Sequence, residues 1–187
     1  MSAFWQSLFF VAVAEMGDKS QLVALAFATR FKPLLVLTGI FIATLLVHFF
    51  SVLLGRFVDT LLPQQWIALA AGLAFIGFGV WTLRGDKLDE GSEKKFSRLG
   101  PLFIIAGTFF VAELGDKTML ATVTLAAKDT SFLGVWLGST LGMVAADAVA
   151  IGVGVVVGKR LPERPVKLAA AAIFLVTGIY TIVQAWV

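Results

Sequence analysis

The 187-residue chain has no cysteine and a single histidine, His48. Disulfides and thiolate metal centres are therefore excluded, and zinc, copper or nickel would find few of the ligands they favour. Hard oxygen ligands are what remains for any metal. Charge is also scarce, at 14% of residues against about 25% in an ordinary soluble domain. Apolar residues take up the difference, with 59% hydrophobic and a mean hydropathy of +0.93. This is the composition of an integral membrane protein, and the length leaves no room for a soluble domain of usual size. The net charge of +3 is not a nucleic-acid signal, because the basic residues sit between apolar segments.

A spanning helix needs about 20 apolar residues, and six segments qualify. They run from about Phe4 to Thr29, Leu34 to Val58, Trp66 to Leu83, Pro101 to Ala127, Phe132 to Gly158 and Val166 to Val187. Short turns at Arg30-Phe31-Lys32-Pro33, around Asp59 to Gln65, at Lys128-Asp129-Thr130 and from Lys159 to Pro165 separate most of them. The one real loop runs from Arg84 to Arg98, and its acids Asp86, Asp89, Glu90 and Glu93, mixed with Lys and Arg, read as a solvated linker. The runs are too long for barrel strands of about 9–11 residues and do not alternate. Ala12-Val13-Ala14 imitates a signal-peptide cleavage site. No Lys or Arg precedes it and the apolar run resumes, so a retained first span is expected.

One short stretch occurs twice, inside the first and fourth segments. Residues 14–20 read Ala-Glu-Met-Gly-Asp-Lys-Ser and residues 112–118 read Ala-Glu-Leu-Gly-Asp-Lys-Thr. A charge at the centre of a spanning helix costs about 2.5–3.5 kcal/mol on insertion scales. Six such residues, Glu15, Asp18, Lys19, Glu113, Asp116 and Lys117, imply a function. The likeness between the halves continues, with Leu22 matching Leu120, Ala28 Ala126 and, after one inserted residue, Gly39 Gly138, Gly55 Gly154, Phe75 Phe174, Gly79 Gly178 and Thr82 Thr181.

The expected fold is therefore an all-α integral membrane protein of six transmembrane helices arranged as two inverted three-helix repeats. Residues 1–83 form the first repeat, 84–100 a cytoplasmic linker and 101–187 the second repeat. Three spans per repeat force opposite orientations, an arrangement that places substrate sites near the midplane. Arg30, Lys32, Arg84, Lys87, Lys94, Lys95, Arg98, Lys159, Arg160, Arg164 and Lys167 fall on one side, and only Arg56 and Lys128 on the other. By the positive-inside rule both termini face away from the cytoplasm.

Small residues recur at every fourth position through Gly134, Gly138, Gly142, Ala146, Ala150, Gly154 and Gly158, echoed by Gly39, Ala43, Ser51 and Gly55. Such stripes let helix backbones approach closely, and packing is the expected role.

On a continuous helix Glu15, Asp18 and Lys19 share one face. Gly17 allows a bend and Ser20 can satisfy a freed carbonyl. The second motif repeats this with Glu113, Asp116, Lys117, Gly115 and Thr118. Together the motifs offer four carboxylates, two hydroxyls and two ammonium groups, a set suited to Ca²⁺, Mg²⁺ or Mn²⁺. Glu15, Asp18, Glu113 and Asp116 are the expected cation ligands; Lys19, Ser20, Gln21, Lys117 and Thr118 are the supporting groups. Clustered carboxylates repel one another when empty and take up protons that a divalent cation displaces, which is the physical basis of cation/proton exchange. The lysines trim the negative charge and pair with carboxylates when the cation leaves. The plain alternative is a pair of i,i+4 salt bridges, Glu15–Lys19 and Glu113–Lys117, that merely tolerate burial. Gln21 follows the first motif where Met119 follows the second, so its amide oxygen is a candidate ligand and a source of asymmetry. Asp147 and its repeat counterpart His48 are further intramembrane groups, assigned to a proton path or to supporting the site.

The duplicated E-x-G-D-(K/R)-(T/S) pattern, with nearly the whole chain around it, resembles the Gdt-one-like cation/proton antiporters of the lysine-exporter superfamily, which include bacterial manganese exporters of the MneA type. The resemblance implies exchange of Mn²⁺ or Ca²⁺ for protons with the four motif acids as ligands. The cation is then substrate, with no prosthetic group, and the partners are the cation, protons and the lipid bilayer, with no nucleic acid. The compact length looks bacterial, which implies export of Mn²⁺ across the cytoplasmic (inner) membrane. A homo-oligomer is left open. An amino-acid exporter of the same superfamily and a passive cation channel are the alternatives. An intramembrane lipid-pyrophosphate phosphatase would want Arg beside the acids, and every Arg here lies at a loop or span end. The chain is not expected to be an enzyme.

Overall fold

The computed structural model describes residues 2–84, 100–129, 131–157 and 163–186. The expected linker, 84–100, lies almost wholly outside the described residues, as does Gly158. Every element is an α-helix: α1 (Ala3–Glu15), α2 (Lys19–Arg30), α3 (Pro33–Leu61), α4 (Gln64–Arg84), α5 (Pro101–Glu113), α6 (Lys117–Lys128), α7 (Phe132–Val157) and α8 (Glu163–Trp186). No strand occurs among the described residues.

The order repeats. A 13-residue helix, a break and a 12-residue helix open each half, followed by one long helix and a final helix. The first and fourth apolar segments are thus not continuous spans, as hydropathy alone suggested, but pairs of half-helices. The cause is local: Gly17 and Gly115 have φ of +76° and +80°, a left-handed conformation that an α-helix does not contain and that glycine adopts without a Cβ penalty. Helix α8 starts earlier than expected, at Glu163, because Pro165 is tolerated in a first turn where its missing N–H is not needed.

Two stretches, Pro33–Leu61 and Phe132–Gly154, are uninterrupted, apolar and long enough to cross a bilayer. At about 1.5 Å per residue the 29 residues of α3 exceed the hydrocarbon thickness. The other apolar stretches are shorter: Ala3–Glu15, Gln65–Trp81, Pro101–Glu113 and Ala171–Val183. The surface is largely apolar, and the apolar core encloses a set of charged groups. Leu46, Phe50, Leu53 and Phe57 of α3 and Leu133, Leu137 and Leu141 of α7 are exposed, whereas Glu15, Asp18, Glu113, Asp116, Lys117, His48 and Asp147 are buried. Water would penalise such an arrangement and lipid accommodates it.

The two halves interlock. Helix α1 packs chiefly on α7 of the other half, and α5 correspondingly on α3. The small-residue stripes lie in these contacts. A Cβ on Gly138 would strike the Phe4 carbonyl, one on Gly142 the Leu8 carbonyl, and one on Gly39 would lie 2.6 Å from Ile105 Cγ2. Gly55 meets α6 at Ala126, and its counterpart Gly154 meets α2 at Leu25. Helices α4 and α8 pack on each other, with Phe75 and Phe174, counterparts in the duplication, stacked at 6.1 Å. Trp136 Nε1 donates to the Leu45 carbonyl at 2.8 Å and ties α7 to α3.

Candidate functional site

Each break turns its motif inward. At the first, Asp18 N–H donates to the Glu15 carbonyl at 3.0 Å, and Asp116 N–H does the same to Glu113 at 3.2 Å. The N–H of each left-handed glycine is held by the side chain four residues on: Gly17 by Gln21 Oε1 at 3.0 Å and Gly115 by Met119 Sδ at 3.2 Å. Asp18 and Asp116 become the N-caps of α2 and α6, where the positive end of a helix dipole favours a carboxylate. Glu15 and Glu113 end α1 and α5, where the negative end of the dipole favours a cation.

The hydroxyls engage the glutamates. Ser20 Oγ donates toward Glu15 Oε1 and lies 3.1 Å from Asp18 Oδ2. Thr118 Oγ1 donates to Glu113 Oε2 at 2.6 Å. Between the halves, Lys117 Nζ stands 2.6 Å from Asp18 Oδ1, with both side chains fully enclosed. Glu15 lies within electrostatic reach of Asp147, Glu113 and Asp18, and Glu113 within reach of Asp116, Asp18 and Asp147. Both motifs and Asp147 therefore share one interior region. Glu15 Oε2, Glu113 Oε1 and both Asp147 oxygens make no hydrogen bond. Unpaired buried acceptors of this number call for a ligand, proton or water.

The family described as divalent cation/proton antiporter GDT1 matches residues 3–90 and 101–187. The chain belongs to the GDT1 family. It is 37% identical over 186 residues to a candidate manganese exporter of Vibrio cholerae serotype O1, covering 97% of this chain and 90% of that protein. It is 30% identical over 206 residues to a GDT1-like protein of Synechocystis, with 100% and 98% covered. It is 29% identical over 219 residues to GDT1-like protein 5 of Arabidopsis thaliana, with 97% and 96% covered. No solved structure matches. That family is one of divalent cation/proton antiporters, so the chain is a transporter and not an enzyme.

Several expectations about this GDT1 chain change with the structure. Glu15 and Asp18 meet across a break, not along one helical face, since Gly17 interrupts the helix between them. Ser20 serves the Glu15 and Asp18 carboxylates and not a freed carbonyl, because the break brings both acids to its hydroxyl. The alternative of a Glu113–Lys117 salt bridge gives way to a pair between motifs, because the break directs the ammonium to Asp18. The side chain of Lys19 lies outside the described residues. Gln21 is not a free ligand: its oxygen caps Gly17 and its Nε2 donates to the Ala146 carbonyl at 3.3 Å, docking α2 on α7 beside Asp147.

Among the described residues no three Asp, Glu or His side chains stand close enough to hold one metal ion. The hydroxyls of Ser20 and Thr118 and the ammonium of Lys117 hold the carboxylates instead. His48, unlike Asp147, pairs with a hydroxyl: its Nδ1 is 3.5 Å from Thr140 Oγ1, while its Nε2 has no hydrogen-bond partner. Sequence reasoning missed Thr140, and also Ser7, Thr108 and Ser139, whose buried hydroxyl oxygens make no hydrogen bond. The signal was available, since each is a polar residue inside an apolar run.

Proposed function

We propose that this antiporter exports Mn²⁺ from the bacterial cytoplasm in exchange for protons, holding the cation between its two motifs. In this reading Glu15, Asp18, Glu113 and Asp116 are the ligands and draw together on the cation as it binds, since among the described residues no three acids stand close enough to hold it beforehand, with Ser20 and Thr118 as neighbouring hydroxyl donors. Asp147 joins the same site, and His48 lies on a proton route along α3 and α7. The chain sits in the inner membrane as two inverted three-helix repeats, 1–83 and 101–187, joined by a cytoplasmic linker, with both termini outside. Each broken segment then counts as one span. The halves rock to open the site to either side, and protons neutralise the carboxylates for the return step.

The observation that carries this reading is the burial of both motifs together with Asp147 in one interior region of an otherwise apolar-surfaced molecule. The name of the Vibrio cholerae relative supports manganese over calcium. The test uses purified protein in sealed liposomes containing a pH dye, with Mn²⁺, Ca²⁺, Mg²⁺ or lysine added outside. A pH change opposite to metal flux, greatest with Mn²⁺ and lost in Glu113→Gln, is the expected result. Metal flux without proton movement would make the protein a channel, and a response to lysine alone would make it an amino-acid exporter.

A further inference from the structure

We propose that Lys117 is a resident counter-cation of the transport site: its ammonium occupies the Asp18 carboxylate of the opposite half and competes with the incoming divalent cation for it. This rests on the reading that the motif acids bind the transported cation.

The two oxygens of Asp18 face different partners. Oδ2 faces the Ser20 hydroxyl at 3.1 Å and the Ser20 N–H at 3.5 Å. Oδ1 takes Lys117 at 2.6 Å. A divalent cation ligated through Oδ1 of Asp18 needs the atom that Lys117 holds, so cation arrival and departure of the ammonium are linked through one oxygen. The pair is enclosed, with 2% and 0% of the two side chains exposed. Removing one partner of a buried pair leaves a charge without compensation, and a lysine filling the place of a departed cation prevents that. The divalent ion brings two charges where the lysine brings one, so it wins the carboxylate. The displaced ammonium stays nearby and repels it, which weakens binding and speeds release.

The pair is also directional. Lys117 is the first residue of α6 in the second half, while Asp18 caps α2 in the first. The competitor is thus delivered by the half that moves against its partner in alternating access. Competition and movement act on the same bond.

The experiment measures Mn²⁺ flux in liposomes for the wild type, Lys117→Gln and Lys117→Arg, with Glu113→Gln in parallel. Gln removes the competitor, so the half-saturating Mn²⁺ concentration falls by about tenfold, a modest part of what breaking a buried ion pair costs, and the maximal rate falls because release slows. Arg grips a carboxylate with two parallel bonds, so its half-saturating concentration rises. A merely structural lysine would lower the rate in both variants without moving half-saturation in opposite directions. Unchanged half-saturation, or movement in the same direction, overturns the proposal. If Lys117→Gln does not insert, Arg against wild type decides alone, and an unchanged or lower value overturns it. Glu113→Gln transporting at wild-type rates would sink the cation-site reading and this proposal with it. An inactive Glu113→Gln beside an unmoved Lys117→Gln and Lys117→Arg would overturn only the role of Lys117.

Discussion

Lys117 and Asp18 form a buried ion pair across the two halves, Nζ to Oδ1 at 2.6 Å, although each has an oppositely charged neighbour in its own motif, Asp116 beside Lys117 and Lys19 beside Asp18. The duplication makes the motifs equivalent in sequence. The break at each glycine turns the polar end of one motif toward the other, so the pair joins the repeats and does not staple one helix.

Neutralising a motif acid should stop transport without unfolding the protein. Glu15→Gln or Asp116→Asn retains shape and loses charge, so the variants should insert and elute normally yet carry no coupled Mn²⁺ flux in liposomes. Wild-type rates in both would remove these residues from the site.

The hydroxyl of Thr118 should matter more than its methyl group. It donates to Glu113 at 2.6 Å, and a hydrogen bond to a charged group contributes about 1.5–3 kcal/mol. Thr118→Val should reduce transport by about tenfold or more on that scale, while Thr118→Ser stays near wild type. Equal rates for Val and Ser would show that the bond has no functional weight.

Gly115 should resist alanine for conformational reasons alone. A Cβ there meets nothing within 4 Å, but φ is +80°. The left-handed backbone costs an L-residue about 1–2 kcal/mol, so Gly115→Ala should lower the melting temperature in detergent. Asn, which tolerates this region better, should lower it less. An alanine variant as stable as wild type would mean the break does not depend on glycine.

The contact of α1 with α7 should be intolerant of side-chain volume. At Gly138 and Gly142 a Cβ would collide with the Phe4 and Leu8 carbonyls, whereas at Gly152 it meets nothing. Gly138→Ala should destabilise by about 1–3 kcal/mol, as overpacking does, and Gly152→Ala should be close to neutral. Chemical or thermal unfolding of the two variants side by side distinguishes the outcomes, and equal stability would contradict the packing.

Much was legible in the residues because lipid imposes strong rules. The long apolar runs, the duplicated motif and the small-residue stripes each follow from a requirement that acts locally, to exclude charge or to let backbones meet. The helix break was less legible. Gly17 and Gly115 signal a bend, but hydropathy runs through them unbroken, and the i,i+3 and i,i+4 arguments presumed continuity. The role of Gln21 was hidden for the same reason, since its amide caps a conformation that exists only once the helix is interrupted.

The amino-acid sequence by itself determined the helical class, the duplicated motif and the placing of Glu15, Asp18, Glu113 and Asp116 inside apolar segments, because each depends on composition or spacing along the chain. Only the tertiary structure decided that α1 lies against α7 and α5 against α3, and that Lys117 reaches Asp18. It likewise decided that Asp147 joins the acids while its counterpart His48 meets Thr140. These are contacts between positions far apart in the chain, and two motifs with the same charged residues contain no local instruction about which partner each charge takes. Packing of the interlocked halves makes that choice.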